Sequence, residues 1–466
     1  MSLLVLFVGA QPRESGIGRD MEMPSFGRQN LPPDFGPKRP LRPPPEESKP
    51  ERHTPTVTPT PITVPAPTPR TASVSQSHID EEFLFLRSSY GTAEPVILDS
   101  LAAQARALLV PAREGDRADQ IQFLLLEIRR KQERPIAAVI EGLKLLYEYP
   151  GSTLTFNVKR VVHEVVEKRI KRRRKEISAI TKGPRIGMSR AERLGALLEK
   201  LASFSDSKFY GPTVVEFREF FERYPHYANR DSLSFLLAGL HARNGFPHSA
   251  VFLYERILAL SSKKPLKASA LSAVGGLYAG ALDDPERAVG AYQSLADGFP
   301  EFEEAQTAYG KWARLLDAEL KQPILAVEVL EKAVQLYPNS DAAHDALSES
   351  ARILARRLKN RPRAVETLER LAEMFPGPRA VAGLRRAAVL HGEAREYAAQ
   401  ARTLVRLRRR YPDDAFSPQA LWTAARLYDK KLGDDTAARR VYSDLIESFP
   451  KHRFGKKAKR RLESLD

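Results

Sequence analysis

The chain has 466 residues with 35 prolines and no cysteine, and its 74 Lys and Arg against 58 Asp and Glu give a formal net charge of +16. Without cysteine there is no disulfide framework, thiolate metal site, Cys nucleophile or lipidated N-terminal Cys. A hydrophobic content of 42% excludes wholesale disorder, and the basic balance favours acidic partners: nucleic acid, an anionic surface or acidic protein segments.

The chain opens on Met1-Ser2-Leu3-Leu4-Val5-Leu6-Phe7-Val8-Gly9-Ala10, an apolar run closed by small residues. Although it lacks Lys and Arg, it resembles the end of a secretory signal, which predicts export and a mature end at Gln11. Residues 11–76 follow as a Pro/Thr-rich spacer, and sixteen of the 35 prolines fall before residue 76. Proline fixes φ and removes a backbone donor, so this stretch is expected to be disordered and polyproline-like. Nine Lys and Arg face eight Asp and Glu through residue 80, so nearly all the net charge lies further on. The sequence offers no run of about 18 apolar residues, which predicts no transmembrane helix.

From about Ser77 the apolar residues take helical spacing. An aromatic followed by proline recurs at Tyr149-Pro150, Tyr224-Pro225, Phe299-Pro300, Tyr337-Pro338, Phe375-Pro376, Tyr411-Pro412 and Phe449-Pro450. The intervals are 75, 75, 38, 38, 36 and 38, and 75 is twice a period near 38. Ala250, Ala288, Ala326 and Ala364 share that period, with Gln400 and Ala438 continuing the series. Turn signals such as Arg243-Asn244-Gly245, Asp283-Asp284-Pro285 and Gly433-Asp434-Asp435 split each period. The pattern predicts an all-α solenoid of helix-turn-helix repeats, in which stacking buries the face that one hairpin leaves open. Residues 77–230 read as degenerate helical repeats, with 153–181 as one long helix. Residues 231–450 read as regular repeats and 451–466 as a basic capping helix.

Leu271…Val274-Gly275…Tyr278…Ala288…Tyr292…Pro300 and Leu421…Ala424-Ala425…Tyr428…Ala438…Tyr442…Pro450 resemble the tetratricopeptide repeat family. They keep the family's order of large, small and aromatic residues, with an extra turn residue and a longer link between repeats. The last repeat is similar to those of bacterial envelope-assembly and cell-division proteins of the Tol-associated and outer-membrane-lipoprotein type. The resemblance implies a protein-binding scaffold with a concave groove lined by the first helix of each pair.

Nothing in the sequence points to catalysis. His-Glu-x-x-His, Gly-x-Ser-x-Gly and a phosphate-cradling Gly-Lys-Ser/Thr loop are all absent, so no catalytic residue, cofactor, metal or small-molecule substrate is expected. Gly275-Gly276 lies within a helix pattern and reads as a packing contact. Two cationic runs are candidate docking patches for acidic partners. One contains Lys171, Arg172, Arg173, Arg174 and Lys175, and the other Lys456, Lys457, Lys459 and Arg460. Aligning the repeats puts Arg314, Arg352 and Arg426 in one slot of the groove helix, interrupted by Gly276 and Val389, with Trp422 and Asp317 nearby. Such a row suits charge-assisted, bidentate bonds to carboxylates of an extended peptide.

The leading expectation is therefore a non-enzymatic scaffold that binds an extended or acidic protein segment. If exported, it would serve a cell-envelope machine from the periplasm. The competing expectation is a cytoplasmic basic repeat protein that binds nucleic acid. Acidic residues interspersed in every repeat and the lack of paired base selectors count against it.

Overall fold

The structure, a computed structural model, describes residues 75–465 apart from 113, 114, 186 and 205. The signal-like segment 1–10 and the spacer through residue 74 lie outside the described residues. Among the described residues there are 21 α-helices and no strand. The first group comprises α1 (Gln76–Thr92), α2 (Leu98–Ala112), α3 (Ala118–Lys131), α4 (Pro135–Glu148), α5 (Thr155–Arg169), α6 (Arg174–Ile180), α7 (Arg190–Ala202) and α8 (Tyr210–Arg223). Six regular pairs follow: α9 (Arg230–Arg243) with α10 (Pro247–Leu260), α11 (Lys264–Ala279) with α12 (Pro285–Gly298), and α13 (Glu303–Ala318) with α14 (Pro323–Leu336). Next come α15 (Asp341–Arg356) with α16 (Arg361–Met374), α17 (Pro378–Glu393) with α18 (Tyr397–Arg410), and α19 (Ser417–Leu427) with α20 (Asp435–Ser448). Helix α21 (Arg453–Glu463) packs on α19 and α20.

The 38-residue punctuation has a local cause. Tyr149, Tyr224, Phe299, Tyr337, Phe375, Tyr411 and Phe449 are the C-caps of α4, α8, α12, α14, α16, α18 and α20. The proline after each disfavours αR at the cap, so the helix stops there. Inside each pair the chain reverses through one left-handed residue: Gly245, Asp283, Lys321, Lys359, Arg395 and Gly433, all with φ between 50° and 83°. A proline in the first turn then opens α10, α12, α14 and α16, where a missing N–H costs nothing.

The recurring alanines 250, 288, 326, 364 and 438 are fully buried, so paired helices approach closely there. In the slot held by Gln400, Gly392 on α17 provides the room: a Cβ there would lie 2.7 Å from Gln400 Nε2. Gly275 acts likewise on α11, since a Cβ would meet the Tyr292 ring at 2.7 Å. Successive first helices α9, α11, α13 and α15 pack on one another more closely than the second helices do, which places the first helices on the inner side of the curve.

Two sequence expectations need correction. Residues 153–181 do not form one helix. Helix α5 ends at Arg169, Ile170 leaves the helical region at φ −134° and ψ 33°, and a 3-10 turn over Lys171–Arg173 leads into α6. An unbroken helix would run about 43 Å, roughly twice its 14-residue neighbours, with nothing to pack its far half. The break instead returns Ile177 and Ile180 to the core, where Tyr147 Oη donates to the Ile180 carbonyl at 3.3 Å. Secondly, residues 95–112 are long and apolar enough to cross a membrane by length and composition. Alanines raise the average, but the stretch contains Asp99 and Arg106 and buries Leu98, Leu101, Ala105 and Leu109 against neighbouring helices.

Candidate partner-binding face and an interior charge cluster

On the outer side, second helices are cross-tied in a ladder. Lys332 Nζ lies 2.9 Å from Asp297, Arg370 lies 2.8 Å from Glu331, and Arg406 pairs with Glu369. Each rung joins one repeat to the next and engages the cation it carries. Exposed pairs of this kind contribute little individually, about 0–1 kcal/mol.

The inner face differs. Arg352 on α15 donates to Glu349 at 2.7 and 2.8 Å and to Asp317 on α13 at 2.8 Å. Asp317 is 4% exposed and also accepts from Arg357 Nε at 2.9 Å. Burial alone would raise the Asp317 pKa, but hydrogen bonds from Arg352 and Arg357 outweigh it and hold the carboxyl below its ordinary range. Asp317 and Arg352 thus fasten two repeats together. Arg314 is exposed. Trp422 is half-buried, stacked on Phe454 of α21 at 5.9 Å with a 12° interplanar angle. Arg426 sits 5.9 Å over the Trp422 ring.

Sequence alignment of the repeats missed two members of this face. Arg356 lies one turn beyond Arg352 on α15, and Arg386 lies one turn before Val389 on α17, filling the gap in the arginine row. Burial first, and then Arg356 and Arg352, push the Arg386 guanidinium below the usual arginine range, with Glu349 opposing them in part. Among the described residues, Arg314, Arg356 and Arg386 have no hydrogen bond or ion pair. The one carboxylate acting on this half-buried guanidinium is Glu349, which is itself bonded to Arg352.

The two basic runs are surface features. Lys171, Arg172 and Lys175 are exposed at the α5–α6 break, while Arg173 pairs with Glu176 at 3.0 Å and Arg174 with Glu167 at 2.7 Å. Lys456, Lys457, Lys459 and Arg460 are exposed on α21, whose Gly455 and Ala458 face the core. Arg461 anchors that helix with two 2.7 Å bonds to Asp429.

The sequence reading also missed an interior charge cluster between α2, α4 and α8. Lys144 Nζ lies 2.8 Å from Glu216, 3.3 Å from Glu219 and 3.7 Å from Glu141. Arg106 lies 2.8 Å from Glu141 and 3.3 Å from Glu219, and Gln122 Nε2 donates to Glu141 at 2.8 Å. Burial opposes the charge on Glu141, yet Lys144 and Arg106 together hold its pKa well below the carboxylate norm. Glu216 goes the other way: burial dominates, Glu141 and Glu219 add repulsion, and its carboxyl is pushed up to about 7. Glu148, beside them, pairs with Arg190 at 3.2 Å and with Arg223. The available signal was Glu141, Lys144 and Glu148 at i, i+3 and i+7 in an otherwise apolar α4, a polar stripe on a helix with no solvent face.

Among the described residues no cluster of three or more His, Asp and Glu is arranged to hold a metal ion. Residues 419–452, which cover most of α19 and all of α20, match the tetratricopeptide repeat family model. No curated protein matches the chain. Among solved structures, the chain is similar to the C-terminal part of a TPR repeat-containing protein from Cytophaga hutchinsonii, at 14% identity and a TM-score of 0.36, covering 57% of this chain and 98% of that one. It is also similar to a tetratricopeptide repeat protein from Parabacteroides merdae, at 16% identity and a TM-score of 0.32, covering 59% and 99%. A third is pilF of Pseudomonas aeruginosa, at 17% identity and a TM-score of 0.32, covering 50% and 98%.

Proposed function

We propose that the chain is a non-enzymatic scaffold whose inner face holds an extended, acidic segment of a protein partner. The observation that carries this reading is Arg386, half-buried and unpaired beside Arg352 and Arg356, in line with exposed Arg314 and Arg426. Carboxylates spaced along an extended strand would meet the guanidiniums of successive first helices. Arg386 would form its charge-assisted bond in a setting less hydrated than the surface, and exposed Arg314, Arg356 and Arg426 would add solvated ones. Arg352 contributes mainly field, because its Nε and Nη2 are already committed to Glu349 and Asp317.

The service of such a scaffold in a cell-envelope machine, from the periplasm, is part of the same proposal. It is supported by the signal-like residues 1–10, the Pro/Thr-rich spacer and the character of the last repeat. Fractionation with N-terminal sequencing tests it: a mature end at Gln11 outside the cytoplasm supports it, and cytosolic protein retaining Met1 or Ser2 overturns it. The groove assignment is tested by co-purification of the native partner with Arg356→Glu/Arg386→Glu. Loss of the partner with unchanged helical circular dichroism supports the assignment, and full retention contradicts it.

A further inference from the structure

The inner-face arginines are not evenly spread. Helices α15 and α17 pack less closely than α13 and α15 do, and three guanidiniums converge along this looser seam. Arg352 and Arg356 lie one turn apart on α15, and Arg386 approaches both from α17. Arg352 spends its Nε and Nη2 on Glu349 and Asp317, which leaves Nη1 uncommitted. Arg356 and Arg386 keep all their donors.

The cluster holds more positive charge than it neutralises. Arg352, Arg356, Arg357 and Arg386 face two carboxylates, Asp317 and Glu349. Both carboxylates are already bonded to Arg352, and Asp317 to Arg357 as well, so the surplus is two. Widening the count to Arg314 and Arg361, and to exposed Asp345 and Glu393, leaves it at two, with Glu393 4.0 Å from Arg361. A carboxylate supplies one charge and two oxygens, enough for one guanidinium in bidentate contact. A phosphate monoester supplies about −1.5 to −2 at neutral pH and three acceptor oxygens, which match both the surplus and the three arginines. A phosphodiester supplies a single charge and leaves half the surplus in place.

We propose that the seam between α15 and α17 receives a phosphorylated side chain of the extended partner segment, with Arg352, Arg356 and Arg386 around the phosphoryl group. This rests on the inner-face reading above and names the residue that the face selects. Arg386 meets the group from a half-buried position, Arg356 from the open side, and Arg352 adds its free Nη1. Phosphorylation of the partner then tightens the complex, and its removal leaves the weaker attraction that spaced carboxylates provide.

The test is fluorescence anisotropy of the full chain with three labelled peptides. They carry aspartate at alternate positions and differ only at the centre, which is phosphoserine, aspartate or serine. The phosphoserine peptide should bind about tenfold more tightly than the aspartate peptide, or better. Arg356→Gln and Arg386→Gln should each bring those two peptides to within about threefold of one another. Arg356 is exposed, so its variant decides the matter if Arg386→Gln folds poorly. Inorganic phosphate and oligothymidylate should displace the phosphoserine peptide only at concentrations about a hundredfold above those of its unlabelled form. Equal binding of the phosphoserine and aspartate peptides overturns this proposal and leaves the acidic-segment reading in place, whereas binding of neither contradicts that reading as well. An undiminished phosphoserine preference in Arg356→Gln, or displacement by inorganic phosphate or oligothymidylate as readily as by the unlabelled peptide, also overturns the proposal.

Discussion

Arg352 on α15 donates to Asp317 on α13 across 2.8 Å, and Arg357 from the end of the same helix closes on the other carboxylate oxygen at 2.9 Å. Thirty-five residues separate the first pair, one repeat. The bond therefore staples consecutive hairpins at the side where the first helices converge.

Asp317→Asn should lower stability by about 2 kcal/mol, the scale of a hydrogen bond to a charged group, read as a reduced urea midpoint. Because the folded pKa of Asp317 is depressed, its contribution is fully present above the ordinary aspartate range. It is lost as pH falls through the folded value, below about 3.9. The wild-type advantage over Asp317→Asn should thus vanish in acid melts and persist from pH 5 upward.

Glu148 receives two arginines from different helices, Arg190 of α7 and Arg223 of α8, in a nearly closed setting. Glu148→Ala takes the carboxylate from both guanidiniums, although Arg190 keeps its 2.6 Å bond to Tyr149 Oη, and removing one partner of a buried pair costs about 3 kcal/mol or more. Thermal unfolding should show a large loss. An unshifted melting temperature would mean that the α4–α7–α8 junction does not depend on this pairing.

The left-handed turn residues offer a gain. Lys321 and Lys359 sit at φ 57° and 55° where equivalent repeats place Gly245 and Gly433. Lys359→Gly, and Lys321→Gly independently, should each stabilise by about 0.5–1 kcal/mol through relief of left-handed strain. Chemical denaturation of the single and double variants checks both size and additivity.

Gly275→Leu should be strongly destabilising although leucine favours helix. Even a bare Cβ meets the Tyr292 ring at 2.7–2.9 Å, and overpacking of this kind costs about 1–3 kcal/mol. Gly276, whose nearest Cβ neighbour is Tyr292 Oη at 3.9 Å, should accept alanine without loss, so the pair of variants separates packing from propensity.

The repeat was legible because its signals are local: an aromatic C-cap, a following proline and an alanine at the helix contact all act within one hairpin. The α5–α6 break was not, since Val158 through Ile180 keep an apolar stripe that suits a straight helix, and only the length of the neighbours forbids one. Of the predicted groove residues, Arg314 and Arg426 are exposed. Asp317 and Arg352 are committed to each other, and Trp422 lies against Phe454, a neighbour supplied by the capping helix rather than by the repeat itself. Arg356 and Arg386 escaped notice because repeat alignment compares equal slots, whereas the two meet one turn off register across adjacent helices. The interior cluster escaped because Lys and Glu read as solvated unless the faces on both sides of their helix are known to be packed.

The most direct measurement is fluorescence anisotropy of a labelled extended peptide with aspartate at alternate positions, against its asparagine counterpart. Wild-type protein should bind the aspartate peptide with an affinity that falls as salt rises and should ignore the asparagine peptide. Arg356→Glu/Arg386→Glu should abolish binding, while Arg402→Glu/Arg409→Glu, the same charge change on exposed positions of second helix α18, should leave most of it. Equal loss from both double variants would show attraction to net charge alone and contradict an inner-face site.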